Sequence, residues 1–254
     1  HMSTTLKIKN LHATIGNTKI LNGVSLDISS GEIHIIMGQN GSGKSTLLSV
    51  LMGNPKYMVT MGSVVLDKKN ILDLNPTQRA HAGLFLGFQH PQVVAGVSFG
   101  NFLRLASNAV AITRKSKNQP IAPAPFAALL RAEMEKLKID PAFISRSVNE
   151  GFSGGEKKKS EVLQMAMLEP SFAFLDEIDS GLDIDALKVV TKELGAVQKK
   201  QGMGLVIVSH NPRILEFIKP NKIHIMSKGK IIAQGGSEII KKIEKGGYDS
   251  FLKK

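Results

Sequence analysis

The chain contains no cysteine and no tryptophan, has two tyrosines, and carries 21 acidic residues against 33 lysines and arginines. Without cysteine the fold owes nothing to disulfides, and thiolate ligation of zinc or of an iron–sulfur cluster by this chain is excluded; a reducing compartment fits. Although 42% of the residues are hydrophobic, no run approaches the roughly 18 to 20 consecutive apolar residues of a membrane-spanning helix, so membrane insertion is not expected. His1-Met2-Ser3 reads as a cloning remnant followed by a polar lead-in, without the apolar run of a secretory signal. The shortage of acids leaves a net charge of +12, which suits polyanionic ligands, acidic proteins or nucleic acid. Several of the lysines, among them Lys241, Lys242, Lys245, Lys253 and Lys254, fall in the tail, where they keep a surface solvated. With so few aromatic rings to stack on bases, nucleic-acid binding is not expected.

What is present is enough chain, 254 residues, for one large α/β domain with a substantial core. Short β-type runs at 6–11 and 24–28 precede the apolar Ile33-His34-Ile35-Ile36-Met37, which ends at Gly38. A continuous apolar run closed by glycine is the pattern of a buried strand. Leu47, Leu48 and Leu51 then recur at helical spacing, predicting a helix over 44–52. Further buried strands are expected at 84–88, 172–175 and 205–208, with a helix over 184–199 between the last two. This alternation predicts a mainly parallel sheet flanked by helices. From Pro91 to Glu150 the texture changes to helix-type patterning around Phe102, Leu103 and Leu105 and over 126–137. The proline-rich 120–125 stretch interrupts it, and no convincing strand is seen; an inserted helical lobe is expected there. Runs at 223–226 and 231–233 flank Lys228-Gly229 as a hairpin, and Ser237 opens a last basic helix.

Gly38-Gln39-Asn40-Gly41-Ser42-Gly43-Lys44-Ser45, with Thr46 behind it, matches G-x-x-x-x-G-K-[ST]. Glycines at those positions let successive backbone N–H groups turn inward at a helix N-terminus, whose dipole also favours an anion. Lys44 is placed to reach the β- and γ-phosphates and the Ser45 hydroxyl to ligate Mg²⁺. The loop alone says nucleoside triphosphate, because kinases, GTPases and motors share it. Phe172-Ala173-Phe174-Leu175-Asp176-Glu177 delivers two acids at the carboxyl end of a strand, where ligands collect in an open parallel sheet. Asp176 is the candidate Mg²⁺ carboxylate and Glu177 the candidate group that polarises the attacking water; the same pair also reads as an ordinary capped helix start. Upstream, Phe152-Ser153-Gly154-Gly155-Glu156 precedes a helix-compatible segment. Ser-Gly-Gly there offers a hydroxyl and open N–H groups as a second phosphate surface, or only a helix cap.

With these three motifs in this order the sequence resembles the ATP-binding cassette family, whose Leu-Ser-Gly-Gly-Gln signature is matched with Phe152 and Glu156 as variants. The resemblance implies a fold of P-loop cassette type. Its mainly parallel core carries an antiparallel β subdomain and an inserted helical subdomain: about 5–90 and 170–235 for the ATPase core, about 91–169 for the helical part bearing the signature, and about 236–254 for the terminal basic helix. It implies Mg²⁺-dependent hydrolysis of ATP in a homodimer, where Ser153, Gly154 and Gly155 of one copy close over the γ-phosphate held by the phosphate loop of the other. Gln89 matches the glutamine that contacts Mg²⁺ and the attacking water, and His210 the switch histidine at the γ-phosphate. Ser180-Gly181-Leu182-Asp183 matches the loop that crosses the dimer interface. Ile15 stands where the family places its adenine-stacking aromatic; an aliphatic side chain packs on a purine without face-to-face π geometry.

Within that family the run from Gly151 to Lys159, the run from Leu175 to Lys188, Phe217-Ile218-Lys219-Pro220 and Gly246-Gly247-Tyr248 are similar to the SufC-type ATPases of the SUF iron–sulfur cluster assembly system. Lys159 stands where those sequences generally carry arginine. The resemblance implies a complex with SufB- and SufD-type scaffold proteins, with the cluster built on the partner rather than on this chain. A cytoplasmic location is expected, or a plastid-type organelle if a transit peptide was removed. The alternative within the family is the ATP-binding subunit of a membrane transporter.

Overall fold

The structure, a computed structural model, describes residues 4–114 and 120–251; the lead-in 1–3 and Lys253 and Lys254 of the tail lie outside the described residues. Two strands open the chain, β1 (Thr5–Ile15) and β2 (Thr18–Ser29), and pair antiparallel. Leu6, Ile8, Leu11 and Ala13 on β1 and Val24, Leu26 and Ile28 on β2 are buried, one face of a half-covered sheet. After β3 (Ile33–Met37) and α1 (Lys44–Leu51) the chain returns to this sheet with β4 (Met58–Leu66) and β5 (Lys69–Asn70), giving the order β2-β1-β4-β5. The sequence pattern does not show β4, because its outer half is exposed and only Val64 and Leu66 are buried. Gly62, at φ 100°, sits where β1 bulges around Asn10, and a Cβ there would overlap the Asn10 carbonyl oxygen.

Helix α2 (Pro76–His81), started by a reciprocal Asn75–Gln78 capping box, leads into β6 (Leu84–Gly87). The central sheet is completed by β9 (Phe172–Asp176), β10 (Gly204–Ser209), β11 (Lys222–Ser227) and β12 (Lys230–Gly235), in the order β12-β11-β3-β10-β9-β6. All neighbours are parallel except the β11–β12 hairpin. Because side chains alternate, the sheet feeds two cores. Ile35, Met37, Leu175 and Ile207 face one way, toward α5 (Gly154–Leu168), α6 (Ile184–Gln201) and the helical lobe. Ile36, Phe174, Val206 and Val208 face the other way, toward α1 and the antiparallel sheet.

The expected helical lobe contains α3 (Phe99–Arg114) and α4 (Pro123–Lys136), the latter opening with proline in its first turn. The expectation of no strand there is corrected: β7 (Val94–Ser98) pairs antiparallel with β8 (Ser147–Val148). The pattern hides it because β7 is largely exposed, carries Gly96 at φ 77°, and pairs with a two-residue strand far away in sequence. The last basic helix is also shorter than expected. Helix α7 (Ser237–Gly246) stops at Gly247, φ 59°, and a 3-10 turn, Tyr248–Phe251, folds back on the core. Among the described residues no helix is long and apolar enough to cross a membrane.

Candidate functional site

Strand β3 ends at the phosphate loop, and the loop has almost no freedom there. A Cβ on Gly38 would overlap the Met226 carbonyl oxygen of β11. Gly41 and Gly43 take φ of 76° and 104°, in the left-handed region that favours glycine. The loop is stitched from outside: Gly229 N–H donates to the Ser42 carbonyl at 2.9 Å. The same β11–β12 turn accepts two bonds from Asn22 of β2, from N–H to the Gly229 carbonyl and from Nδ2 to the Lys228 carbonyl, both 2.9 Å. Helix α1 therefore starts behind Gly43 with no side-chain cap, leaving backbone donors for an anion.

An open cavity of ≈ 340 Å³ lies over this helix start, lined by Asn40, Gly41, Gly43, Lys44, Ser45 and Thr46 on one side and by Gln89 and Glu177 on the other. Lys44 is 5% exposed and curls back on the loop, donating from Nζ to the Gly38 carbonyl at 2.8 Å and the Gln39 carbonyl at 2.9 Å. Burial lowers its pKa, and the carboxylates of Glu177 and Asp176 partly restore it. The Ser45 hydroxyl donates to Asp176 Oδ1 at 3.0 Å, bringing phosphate loop and β9 together. Burial raises the Asp176 pKa, against the Ser45 hydrogen bond. One hydroxyl and one carboxylate at hydrogen-bond distance beside a phosphate cradle fit a hard divalent cation with oxygen ligands, such as Mg²⁺.

Glu177 follows directly, with φ 46° and its N–H on the Val208 carbonyl at 3.0 Å. Both of its carboxylate oxygens are engaged. Gln89 Nε2 donates to Oε2, and His210 Nδ1 lies 3.1 Å from Oε1. The structure thus brings together Gln89, Asp176, Glu177 and His210, from the ends of three parallel strands, at the mouth of the Lys44 cavity.

Ser153, Gly154 and Gly155 do not line that cavity. Ser153 and Gly154 are exposed at the start of α5, where Ser153 Oγ accepts from Glu156 N–H at 3.3 Å and Glu156 Oε2 accepts from Ser153 N–H at 2.7 Å. The loop at 180–183 packs close to this helix start: a Cβ on Gly154 would lie 3.0 Å from the Gly181 carbonyl oxygen. Asp183 caps α6 by accepting from Ala186 N–H at 2.7 Å. Ile15 is 41% exposed at the tip of the β1–β2 hairpin.

Three connections between segments were not foreseen from the sequence. Lys158 and Glu161 form a buried ion pair of 3.1 Å on α5, and Lys158 Nζ also donates to the Phe88 carbonyl at 2.9 Å, tying the Ser-Gly-Gly helix to the residue before Gln89. Burial pushes Glu161 up to about 7, against the pull of Lys158. An i,i+3 pair of opposite charge on an otherwise apolar helix face was the available signal. Ser209 Oγ donates to Asp179 Oδ2 at 2.9 Å and Tyr248 Oη to the His210 carbonyl at 2.9 Å; no pattern in the sequence marks either.

Comparison with known proteins agrees with this geometry. The ABC transporter family model matches residues 21–180. A protein of Cyanophora paradoxa named probable ATP-dependent transporter ycf16 is 49% identical over 245 residues, covering 96% of this chain and 93% of its own. Vegetative protein 296 of Bacillus subtilis is 46% identical over 247 residues, covering 97% and 93%. Among solved structures, the ADP conformation of MJ1267, an ATP-binding cassette of an ABC transporter, superposes with a TM-score of 0.76 at 25% identity, covering 99% of both chains. The expected P-loop cassette fold, a mainly parallel core with an antiparallel β subdomain and an inserted helical subdomain, is thereby borne out, and the chain belongs to the ATP-binding cassette ATPases, which bind ATP with Mg²⁺ and hydrolyse it.

Proposed function

We propose that this chain is the ATPase subunit of an iron–sulfur cluster assembly complex, in which two copies close around ATP and reshape SufB- and SufD-type scaffold partners. The observation that carries the two-copy reading is the separation of the site into halves. The Lys44 cavity gathers the phosphate loop, Gln89 and Glu177, with Asp176 bonded to Ser45 and His210 to Glu177 beside it, while Ser153 and Gly154 stand exposed outside it. A second copy supplies the missing cap. The scaffold partners are supported by the runs from Gly151 to Lys159 and from Leu175 to Lys188, which are similar to SufC-type sequences apart from Lys159.

The backbone N–H groups of Asn40 to Lys44 take the phosphate oxygens, and Lys44 exchanges the Gly38 and Gln39 carbonyls for the β- and γ-phosphates. Ser45 and Asp176 would hold Mg²⁺, which when bound neutralises phosphate charge. Glu177 orients water and accepts its proton as the water oxygen bonds to the γ-phosphorus. The bond from that phosphorus to the bridging oxygen breaks, leaving ADP and inorganic phosphate. Gln89 and His210 fix the direction of the Glu177 carboxylate and contact the γ-phosphate side.

A second reading, the ATP-binding subunit of a membrane transporter, is favoured by the names of the relatives in Cyanophora and other organisms. Co-purification with SufB- and SufD-type proteins, followed by cluster reconstitution, separates the two. The assembly reading predicts a stable complex whose cluster formation stops in Glu177→Gln. No association, or reconstitution indifferent to that substitution, overturns it, and co-purification with a permease supports the transporter.

A further inference from the structure

The C-terminal turn reaches the site from a direction the motifs do not indicate. Gly247 has φ 59° and ψ −165°, a backbone region that glycine alone occupies readily, and open space around the position of a Cβ. It ends α7 and aims the next residue inward. Tyr248 packs its ring on the main core, and its phenol donates to the His210 carbonyl at 2.9 Å.

His210 needs such an anchor. Its side chain is 47% exposed, so packing does not set its direction, yet its Nδ1 lies 3.1 Å from Glu177 Oε1. What directs an exposed imidazole is the backbone that carries it. That backbone is held from two sides. Ser209 Oγ, bonded to Asp179 Oδ2 at 2.9 Å, accepts from Asn211 N–H at 3.0 Å, and Asn211 caps the following 3-10 turn through Arg213 N–H at 3.0 Å. Tyr248 holds the peptide between these points. Burial and then the neighbouring Asp179 push its phenol up to about 12, so it keeps its proton and remains a donor throughout the working pH range.

We propose that Tyr248 is a positioning residue for ATP hydrolysis, fixing through the His210 carbonyl the direction in which the imidazole meets Glu177 and the γ-phosphate. The C-terminal turn is then part of the catalytic apparatus. This rests on the reading that His210 acts at the γ-phosphate. Misplacement of a reacting group by about 1 Å costs up to about 10²-fold in rate; loss of one of several tethers should cost less, about ten-fold.

The test measures kcat, KM for ATP and melting temperature for the intact chain, in its assembled form, as Tyr248→Phe, His210→Ala and the double variant. Tyr248→Phe removes one hydroxyl and keeps the ring in the core. The expected result is a kcat lower by about ten-fold, with KM and melting temperature unchanged and no further loss when it is added to His210→Ala. Gly247→Ala, which cannot comfortably aim Tyr248, should reproduce the loss. Wild-type kcat in Tyr248→Phe and Gly247→Ala, with His210→Ala impaired, overturns the role of Tyr248 alone. Additive losses in the double variant overturn it too, since Tyr248 then acts elsewhere than through His210. Full turnover in His210→Ala overturns the underlying reading of His210 itself.

Discussion

Two glycine-rich helix starts in this one chain are built in opposite ways. Helix α1 begins at Gly43 with no side-chain cap, its backbone held by neighbouring strands and its lysine buried against the loop's own carbonyls. Helix α5 begins at Ser153 with a complete capping box, exposed and satisfied by its own Glu156. The first start depends on the rest of the fold for its shape and has donors to spare. The second is locally self-sufficient, and the Ser153 hydroxyl, which accepts in the cap, still has a proton to give. The difference teaches that a cap and a phosphate contact are not alternatives at Ser153: the same oxygen can serve both.

The largest break in this comparison should come at the first start. Lys44→Ala is expected to weaken nucleotide binding about a hundred-fold or more in calorimetric titration, because a buried cation facing the phosphates is lost. Glu177→Gln beside it should keep binding and lower turnover by about 10²- to 10⁴-fold, accumulating a closed dimer visible by size-exclusion chromatography. Full turnover would require another base.

Ser153→Ala should separate the two starts. Turnover should fall by about ten-fold under dimer-forming conditions, the value of one charge-assisted hydrogen bond, while nucleotide affinity of the single chain stays unchanged. The lost cap should cost about 1 kcal/mol in denaturant unfolding. A defect in single-chain affinity would mean that the two starts are not independent sites.

The smallest effect is a difference in acid sensitivity. In the central sheet, His34 of β3 and His224 of β11 are buried side by side, 3.1 Å apart, with His224 pushed down to about 3 by burial and then by His34. A histidine with a depressed folded pKa contributes stability present above about 6.5 and lost as pH falls toward 3, by at most about 1.4 kcal/mol per pH unit. Glu161 on α5 runs the other way. Its pKa is raised to about 7, so its contribution is full below its ordinary 4.5 and is lost as pH rises through 7. Melting temperatures of the wild type and His224→Phe between pH 7 and pH 5 isolate the first effect: the wild type should lose more than the variant. Parallel curves would show that the histidine pair does not carry the acid sensitivity of the sheet.

How much of this was legible depended on range. Strands β3, β9 and β10 are continuous apolar runs because both faces are covered, and they could be read directly; Lys44, Asp176 and Ser153 could be singled out as candidates because the motifs that carry them lie within a few residues. Strand β7 was hidden because its partner is a two-residue strand far along the chain and its surface is exposed. The Lys158–Phe88 bond, the Tyr248–His210 bond and the Ser209–Asp179 bond are contacts between segments that only tertiary packing brings together. Glu156 was legible as a departure from the family pattern. That its carboxylate closes the cap on Ser153 N–H is seen in the structure.

The tight turn between β11 and β12 acts as a gauge block. Its Lys228 and Gly229 carbonyls engage Asn22 of the antiparallel sheet, its Gly229 N–H engages Ser42 of the phosphate loop, and the Met226 carbonyl just before it abuts Gly38. The distance from the β1–β2 surface to the anion cradle is therefore machined into main-chain bonds that carry no side-chain identity from the turn itself. The turn holds that spacing through its backbone: Lys228 and Gly229 take φ of 47° and 74°, a Cβ on Gly229 would overlap the Ile20 carbonyl oxygen, and inserting a single residue would detune it.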